Sequence, residues 1–138
     1  MIKKIICLFL FCGFINCSET TNLNNCIRSF SISVVTDLNN PSLINAQIPG
    51  GFAELSGGNK GLLLFNKNGT DFVAFDRLCP NSDCATPMTF ENRLLMCTCD
   101  GGTYSVDFGG APQKEGFDCP AIEYSVTKNG SSIRISNF

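Results

Sequence analysis

Residues 75–104 read FDRLCPNSDCATPMTFENRLLMCTCDGGTY and hold four of the nine cysteines of this 138-residue chain. The thiols come as C-x4-C (Cys79, Cys84), a twelve-residue spacer, then C-x-C (Cys97, Cys99), and each cluster follows a short apolar run. Two loops with thiols at that spacing fit paired disulfides in an oxidising compartment, or a metal or iron–sulfur centre where thiolates survive. Zinc fits least well, because C-x4-C with C-x-C lacks the C-x-x-C knuckles of most structural zinc sites. A thiol–disulfide exchanger built on Cys97-x-Cys99 would need an exposed thiol of low pKa, which a sequence does not display.

The length suits one domain of ordinary size with a single core. There is no histidine, so imidazole is unavailable as metal ligand, proton shuttle or triad base. Ten basic and twelve acidic residues, without basic clusters, exclude a phosphate-binding face and so argue against nucleic acid as a partner. Asp76, Asp83 and Glu91 do not form a carboxylate pair suited to acid–base work and read as solvated loop charges. The twelve phenylalanines read as core, with Phe52 and Phe108 as an alternative exposed patch.

Towards the N-terminus, residues 1–16 read as a signal peptide. Lys3 and Lys4 form its charged region, and residues 5–15 (IICLFLFCGFI) form an apolar segment short for a membrane span. Cys17 follows at once, trailed by the polar run SETTNLNN, and this arrangement resembles the bacterial lipoprotein signal. Phe14, Ile15 and Asn16 depart from the small residues usual before the modified cysteine. The resemblance implies export, a lipidated Cys17, a flexible tether over residues 17–25, a folded domain over 26–138, and a place in the bacterial cell envelope held to the membrane by the lipid. Loss of the signal removes two lysines and no acid, so the formal charge moves from −2 to −4. Six cysteines then remain apart from Cys17, namely Cys26, Cys79, Cys84, Cys97, Cys99 and Cys119, an even number compatible with three disulfides.

Within 26–138 no stretch has apolar residues at helical spacing. Short β-type runs recur instead, at residues 29–35 (SFSISVV), 61–65 (GLLLF), 72–75 (FVAF), 94–97 (LLMC), 122–127 (IEYSVT) and 132–136 (SIRIS). Asn68-Gly69 and Asn129-Gly130 are placed as type I′ hairpin turns. Ile133, Ile135, Tyr124 and Val126 alternate with polar residues, so the C-terminal hairpin is expected to bury one face. The expectation is an all-β, antiparallel fold of small sheets.

Residues 72–135 as a whole are similar to the Rieske [2Fe–2S] domain family. That family carries C-x-H-x(n)-C on one loop and C-x-C-H-G or C-x-x-H on the next, then an aromatic, a glycine turn and a closing P-x-x-x-Y-x-V strand. The matches here are VAFDRLCP, Cys79-x4-Cys84, CTCDGGTY from Cys97 to Tyr104, Gly109-Gly110, and PAIEYSV from Pro120 to Val126. The resemblance implies an antiparallel β-sandwich with two cysteine-bearing loops, and an electron-transfer ancestry in which the domain passes single electrons without itself catalysing bond chemistry.

Carried over residue by residue, Cys79 and Cys97 take the thiolate-ligand positions, and Cys84 and Cys99 those of a disulfide that clamps the cluster pocket. The two histidine positions fall on Asn81 and Asp100, neither of which replaces neutral imidazole, so the usual centre cannot form on this chain. The resemblance then implies that Cys79 and Cys97, left facing each other across the loops, pair as a second staple beside Cys84–Cys99, with Cys26 and Cys119 as the third pair. The leading expectation is an envelope binding or structural module with no cofactor. The alternative is a [2Fe–2S] carrier with non-histidine ligands serving a protein redox partner. Asn81 and Asp100 are expected as ordinary loop residues or as polar relics hydrogen-bonded to loop amides.

Overall fold

Leu62, Leu63, Leu64 and Phe65 are all fully buried, which requires their strand to be covered on both faces. The computed structural model describes residues 25–137 and gives the reason. Residues Leu62–Asn66 form β3 at the interior of a six-stranded antiparallel sheet. Its neighbours in the sheet are β2 (Phe52–Leu55) and β4 (Phe72–Asp76), and the sheet continues through β9 (Glu123–Asn129) and β10 (Ser132–Ser136) to β1 (Ser33–Asp37).

A second sheet of four short strands, β5 (Thr89–Glu91), β6 (Leu94–Met96), β7 (Thr103–Ser105) and β8 (Ala111–Pro112), lies in sequence wholly between β4 and β9. Those two strands are paired in the large sheet, Ala74 opposite Tyr124 and Phe75 opposite Glu123. The small sheet is therefore an excursion from one seam of the large one. The all-β sandwich expected from the sequence is the fold observed.

The core differs from the single core expected. Because side chains alternate along a strand, Leu63 and Phe65 join Phe75, Met88, Leu95, Tyr104 and Val106 in one apolar cluster. Leu62 and Leu64 join Leu43, Ala46, Ala74, Tyr124, Ile133 and Ile135 in another. The second cluster includes Leu43 and Ala46 of a 3₁₀ helix, Pro41–Gln47, which is absent from the strands and turns expected from the sequence. Only Leu43 and Ala46 of its seven residues are buried, too short a pattern to register as helical periodicity. The C-terminal hairpin buries Tyr124, Ile133 and Ile135, as its alternation indicates.

Two turns differ from expectation. Among described non-glycine residues, positive φ occurs at Asn92 (51°) and Arg93 (64°), not at Asn68 or Asn129. Glu91 pairs with Leu94, so Asn92–Arg93 is the two-residue type I′ hairpin. Left-handed backbone at an arginine is unfavourable. Here the side chain is held in compensation, by a fork on the Asp107 carboxylate at 2.7 and 2.6 Å and by stacking 5.0 Å from the Phe65 ring centre. The β9–β10 loop is Gly130–Ser131, with the positive φ at Gly130 alone, and Asn129 stays in β9. The β3–β4 connection is longer, because the buried Asn66 carboxamide donates to Ala46 O and accepts from Gly69 N.

The expected signal peptide over residues 1–16, the lipidated Cys17 and most of the tether over 17–25 lie outside the described residues. Among the described residues no helix is long and apolar enough to cross a membrane.

Candidate functional site

Two loops leave the same end of the small sheet. The first, residues 77–88, connects β4 to β5, and the second, residues 97–102, connects β6 to β7. Thr89 pairs with Met96 and Met96 with Thr103, so the pleat sets the end of the first loop beside both ends of the second. Necks hold each loop closed. Met88 N donates to Arg77 O (2.6 Å) and the Arg77 guanidinium to Met88 O (2.9 Å), while Cys97 N donates to Gly102 O and Gly101 N to Cys97 O. Arg77 is anchored in turn by Glu54 at 2.7 Å.

The loops carry three of their four cysteines into the inter-sheet core. Cys79, Cys84 and Cys97 are buried and belong to the same cluster as Phe75 and Leu95, whereas Cys99 is exposed. Cys79 is bonded to Cys97 and Cys84 to Cys99, with Cα–Cα separations of 5.5 and 5.9 Å, so two staples cross between the loops. Cys26 is bonded to Cys119 at 5.4 Å, tying the start of the described chain to the segment before β9. The sulfurs of Cys79, Cys84 and Cys97 lie within 4.8 Å of one another although they belong to two different bonds.

The positions where the resemblance would place histidines are occupied by groups that bond to the protein. Asn81 donates to the Tyr104 hydroxyl (2.9 Å) and accepts from Cys119 N (3.2 Å), joining the first loop to β7 and to the third disulfide. Asp100 accepts from the Ser82 hydroxyl (2.8 Å) and from Gly102 N (2.8 Å), so it both closes its own turn and bridges to the first loop. Thr86 and Thr98 add a hydroxyl pair between the loops at 2.9 Å. An amide and a carboxylate already satisfied in this way, together with cysteines paired to each other, do not supply the donor set of a Rieske-type [2Fe–2S] centre with its two imidazoles.

Tyr104 and Gly102 define the floor of the second loop. The Tyr104 phenol is raised above its ordinary pKa, chiefly by burial and further by the nearby Asp100 charge, with the Asn81 hydrogen bond opposing. A Cβ at Gly102 would fall 2.5 Å from the Tyr104 hydroxyl oxygen, so only glycine lets that hydroxyl reach Asn81.

The neck of the first loop rests on Asp76, which is not the solvated loop charge expected from the sequence. Asp76 is completely buried. Its carboxylate accepts from Asn59 N (2.6 Å), Lys60 N (3.1 Å), Leu78 N (3.0 Å) and the Tyr124 hydroxyl (2.9 Å). It sits at the last position of β4, so it fixes where the strand ends and the cysteine loop begins. The only sequence signal was its place after the apolar run FVAF. Ser82, Thr86 and Thr98, which bind the loops to one another, carry no such signal, and Tyr104 is marked only as the aromatic that ends CTCDGGTY. Asp83 and Glu91 are exposed, as expected of solvated charges. Phe52 and Phe108 are both exposed, and the Phe52 ring also meets Phe90 edge-on at 4.7 Å.

Two stacked antiparallel sheets with a pair of cysteine loops at one end define a Rieske-like fold. The chain is similar to one chain of a complex of reduced oxygenase and oxidized ferredoxin in carbazole 1,9a-dioxygenase, with 17% identity over 77% of this chain and 94% of that one and a TM-score of 0.55. It is similar to the ferredoxin of carbazole 1,9a-dioxygenase from Nocardioides aromaticivorans IC177, with 17% identity, 78% and 98% coverage and a TM-score of 0.51. It also resembles a quaternary ammonium Rieske monooxygenase in complex with L-carnitine, at 12% identity over 78% of this chain but 32% of that one, TM-score 0.53. No protein-family model matches the sequence, and no curated protein is significantly similar to it.

Proposed function

We infer that this chain is a Rieske-fold module of electron-transfer ancestry that has exchanged its cluster for disulfide staples, and that it works as a binding or structural module in the bacterial envelope, lipid-anchored through Cys17. The observation that carries the reading is the state of the two loops. Each cysteine that would hold or clamp a cluster is joined to a cysteine of the opposite loop, and Asn81 and Asp100 are bonded to Tyr104, Cys119, Ser82 and Gly102. Inter-loop disulfides persist in an oxidising compartment, which supports export. The similar solved structures named above as a ferredoxin and as an oxygenase–ferredoxin complex support the ancestry, and point to a protein surface as the partner.

A second reading draws on the three buried sulfurs within 4.8 Å of one another. Once reduced, they could serve as thiolate ligands of an iron–sulfur centre for a redox partner. One anaerobic purification separates the two. Colourless protein without stoichiometric iron, with three disulfides by non-reducing peptide mapping and a mature N-terminus at diacylated Cys17, is the expected result. Bound inorganic sulfide with free thiols on denaturation would overturn the first reading in favour of the second.

A further inference from the structure

The inter-loop staples are unequal in access and close enough to react with each other. Cys99 is exposed, while its partner Cys84 is 1% exposed and lies in the core beside Cys79 and Cys97, at 0% and 2%. Cys84 Sγ is within 4.8 Å of both sulfurs of the neighbouring bond. A hydroxyl is placed to receive the charge of a displaced Cys84 thiolate, Thr86 Oγ1 lying 3.2 Å from Cys84 Sγ.

We propose that the two staples form an internal thiol–disulfide exchange couple, with Cys99 as the sulfur attacked from outside, Cys84 as the internal nucleophile, and a dithiol reductant as the partner class. The proposal rests on the disulfide-stapled reading above. The thiolate of an external dithiol attacks Cys99 Sγ; the Cys84–Cys99 bond breaks and Cys84 leaves as a thiolate. The second thiol of the reductant then displaces Cys99, which leaves with the proton as a free thiol, and the reductant departs as its own disulfide, having given up two electrons. In a further step that moves no net electrons, Cys84 attacks Cys79 or Cys97 and displaces the other as a thiolate. A bond to Cys79 closes within the first loop and frees Cys97 and Cys99 as a dithiol on the second. The reducing equivalents thereby reach a buried pair that no external thiol touches directly.

The test uses the wild-type chain under native conditions with one equivalent of dithiothreitol, followed by acid quench, alkylation and non-reducing peptide mapping. Crossed bonds from Cys84 to Cys79 or Cys97, with the label on Cys99 and on the displaced cysteine, are expected. No bond from Cys26 or Cys119 to a loop cysteine should form, which makes that pair the control for scrambling through unfolding. In a Cys84→Ser, Cys99→Ser double variant, reduction of Cys79–Cys97 should slow by at least about tenfold, since its internal nucleophile is gone and access is poor. Label confined to Cys84 and Cys99, an unchanged reduction rate in the double variant, or crossed bonds that recruit Cys26 and Cys119 equally would each overturn the proposal. Free thiols or bound sulfide before any reductant is added would instead sink the stapled reading on which it rests.

Discussion

Asp76 and Gly102 are the two residues whose replacement tells most about how the loops are held. A buried carboxylate that accepts four hydrogen bonds cannot become an amide without turning an N–H toward donors, so Asp76→Asn is expected to lower stability by about 3 kcal/mol in denaturant titrations. Tyr124→Phe removes one of the four donors and leaves the others in place, with an expected loss of about 1.5 kcal/mol. Equal losses in the two variants would contradict the hub role of Asp76. Gly102→Ala drives a methyl against the Tyr104 hydroxyl and should cost about 2 kcal/mol. Gly101→Ala, at φ 73° with Lys114 Nζ at 3.7 Å as its nearest neighbour, carries only the backbone term of about 1 kcal/mol. Reversal of that order in thermal melts would show that the contact with Tyr104 is not tight.

At the scale of elements, the chain's two tyrosines each plug one core cluster, Tyr104 from β7 and Tyr124 from β9. Both phenols are raised, each mainly by burial, with the Asp76 hydrogen bond and charge adding to the shift at Tyr124. In the unfolded chain they ionise near pH 10, roughly the ordinary phenol value. The stability tied to their protonated state is therefore complete below that pH and falls as pH rises towards the folded values, because only the unfolded chain gains by ionising. With no tryptophan to interfere, the phenolate absorbance near 295 nm should appear together with loss of β-sheet circular dichroism. Phenolate formation while the sheet signal is intact would place the rings nearer water than the structure does. Strand existence is legible at this scale for β1, β3, β4, β9 and β10, whose runs are long or alternating, and for β6, whose three residues sit in the continuous apolar run LLMC. The strands β2, β5, β7 and β8 were missed because they have two to four residues each, too few to show a period. The β5–β6 turn carries Asn-Arg rather than Asn-Gly and is sustained by the Arg93 contacts with Asp107 and Phe65, which no local pattern announces.

For the whole molecule, the disulfides differ in the length of chain they close. Cys26–Cys119 spans a sequence separation of 93, against 18 and 15 for the inter-loop staples. In the chain-entropy account the long link contributes about 4 to 5 kcal/mol and either short one about 3 kcal/mol. The Cys26→Ser, Cys119→Ser pair is expected to lose more in chemical denaturation than the Cys84→Ser, Cys99→Ser pair. A larger loss for the short link would mean that loop geometry, rather than constraint of the unfolded chain, dominates.

Composition alone removed imidazole from every site this chain can build, and short apolar runs with their turn dipeptides specified antiparallel strands in small sheets, because both depend on residue identity and near neighbours; the stacking of those sheets as a sandwich came only from the Rieske resemblance. Tertiary structure decided the burial of Asp76 beneath a tyrosine 48 residues away, the engagement of Asn81 by Tyr104 and Cys119, and the gathering of three sulfurs from two bonds within 4.8 Å. Those contacts arise when β4, β7 and β9 are brought to one end of the sandwich, and pairing between strands remote in sequence leaves no periodic trace in any of them.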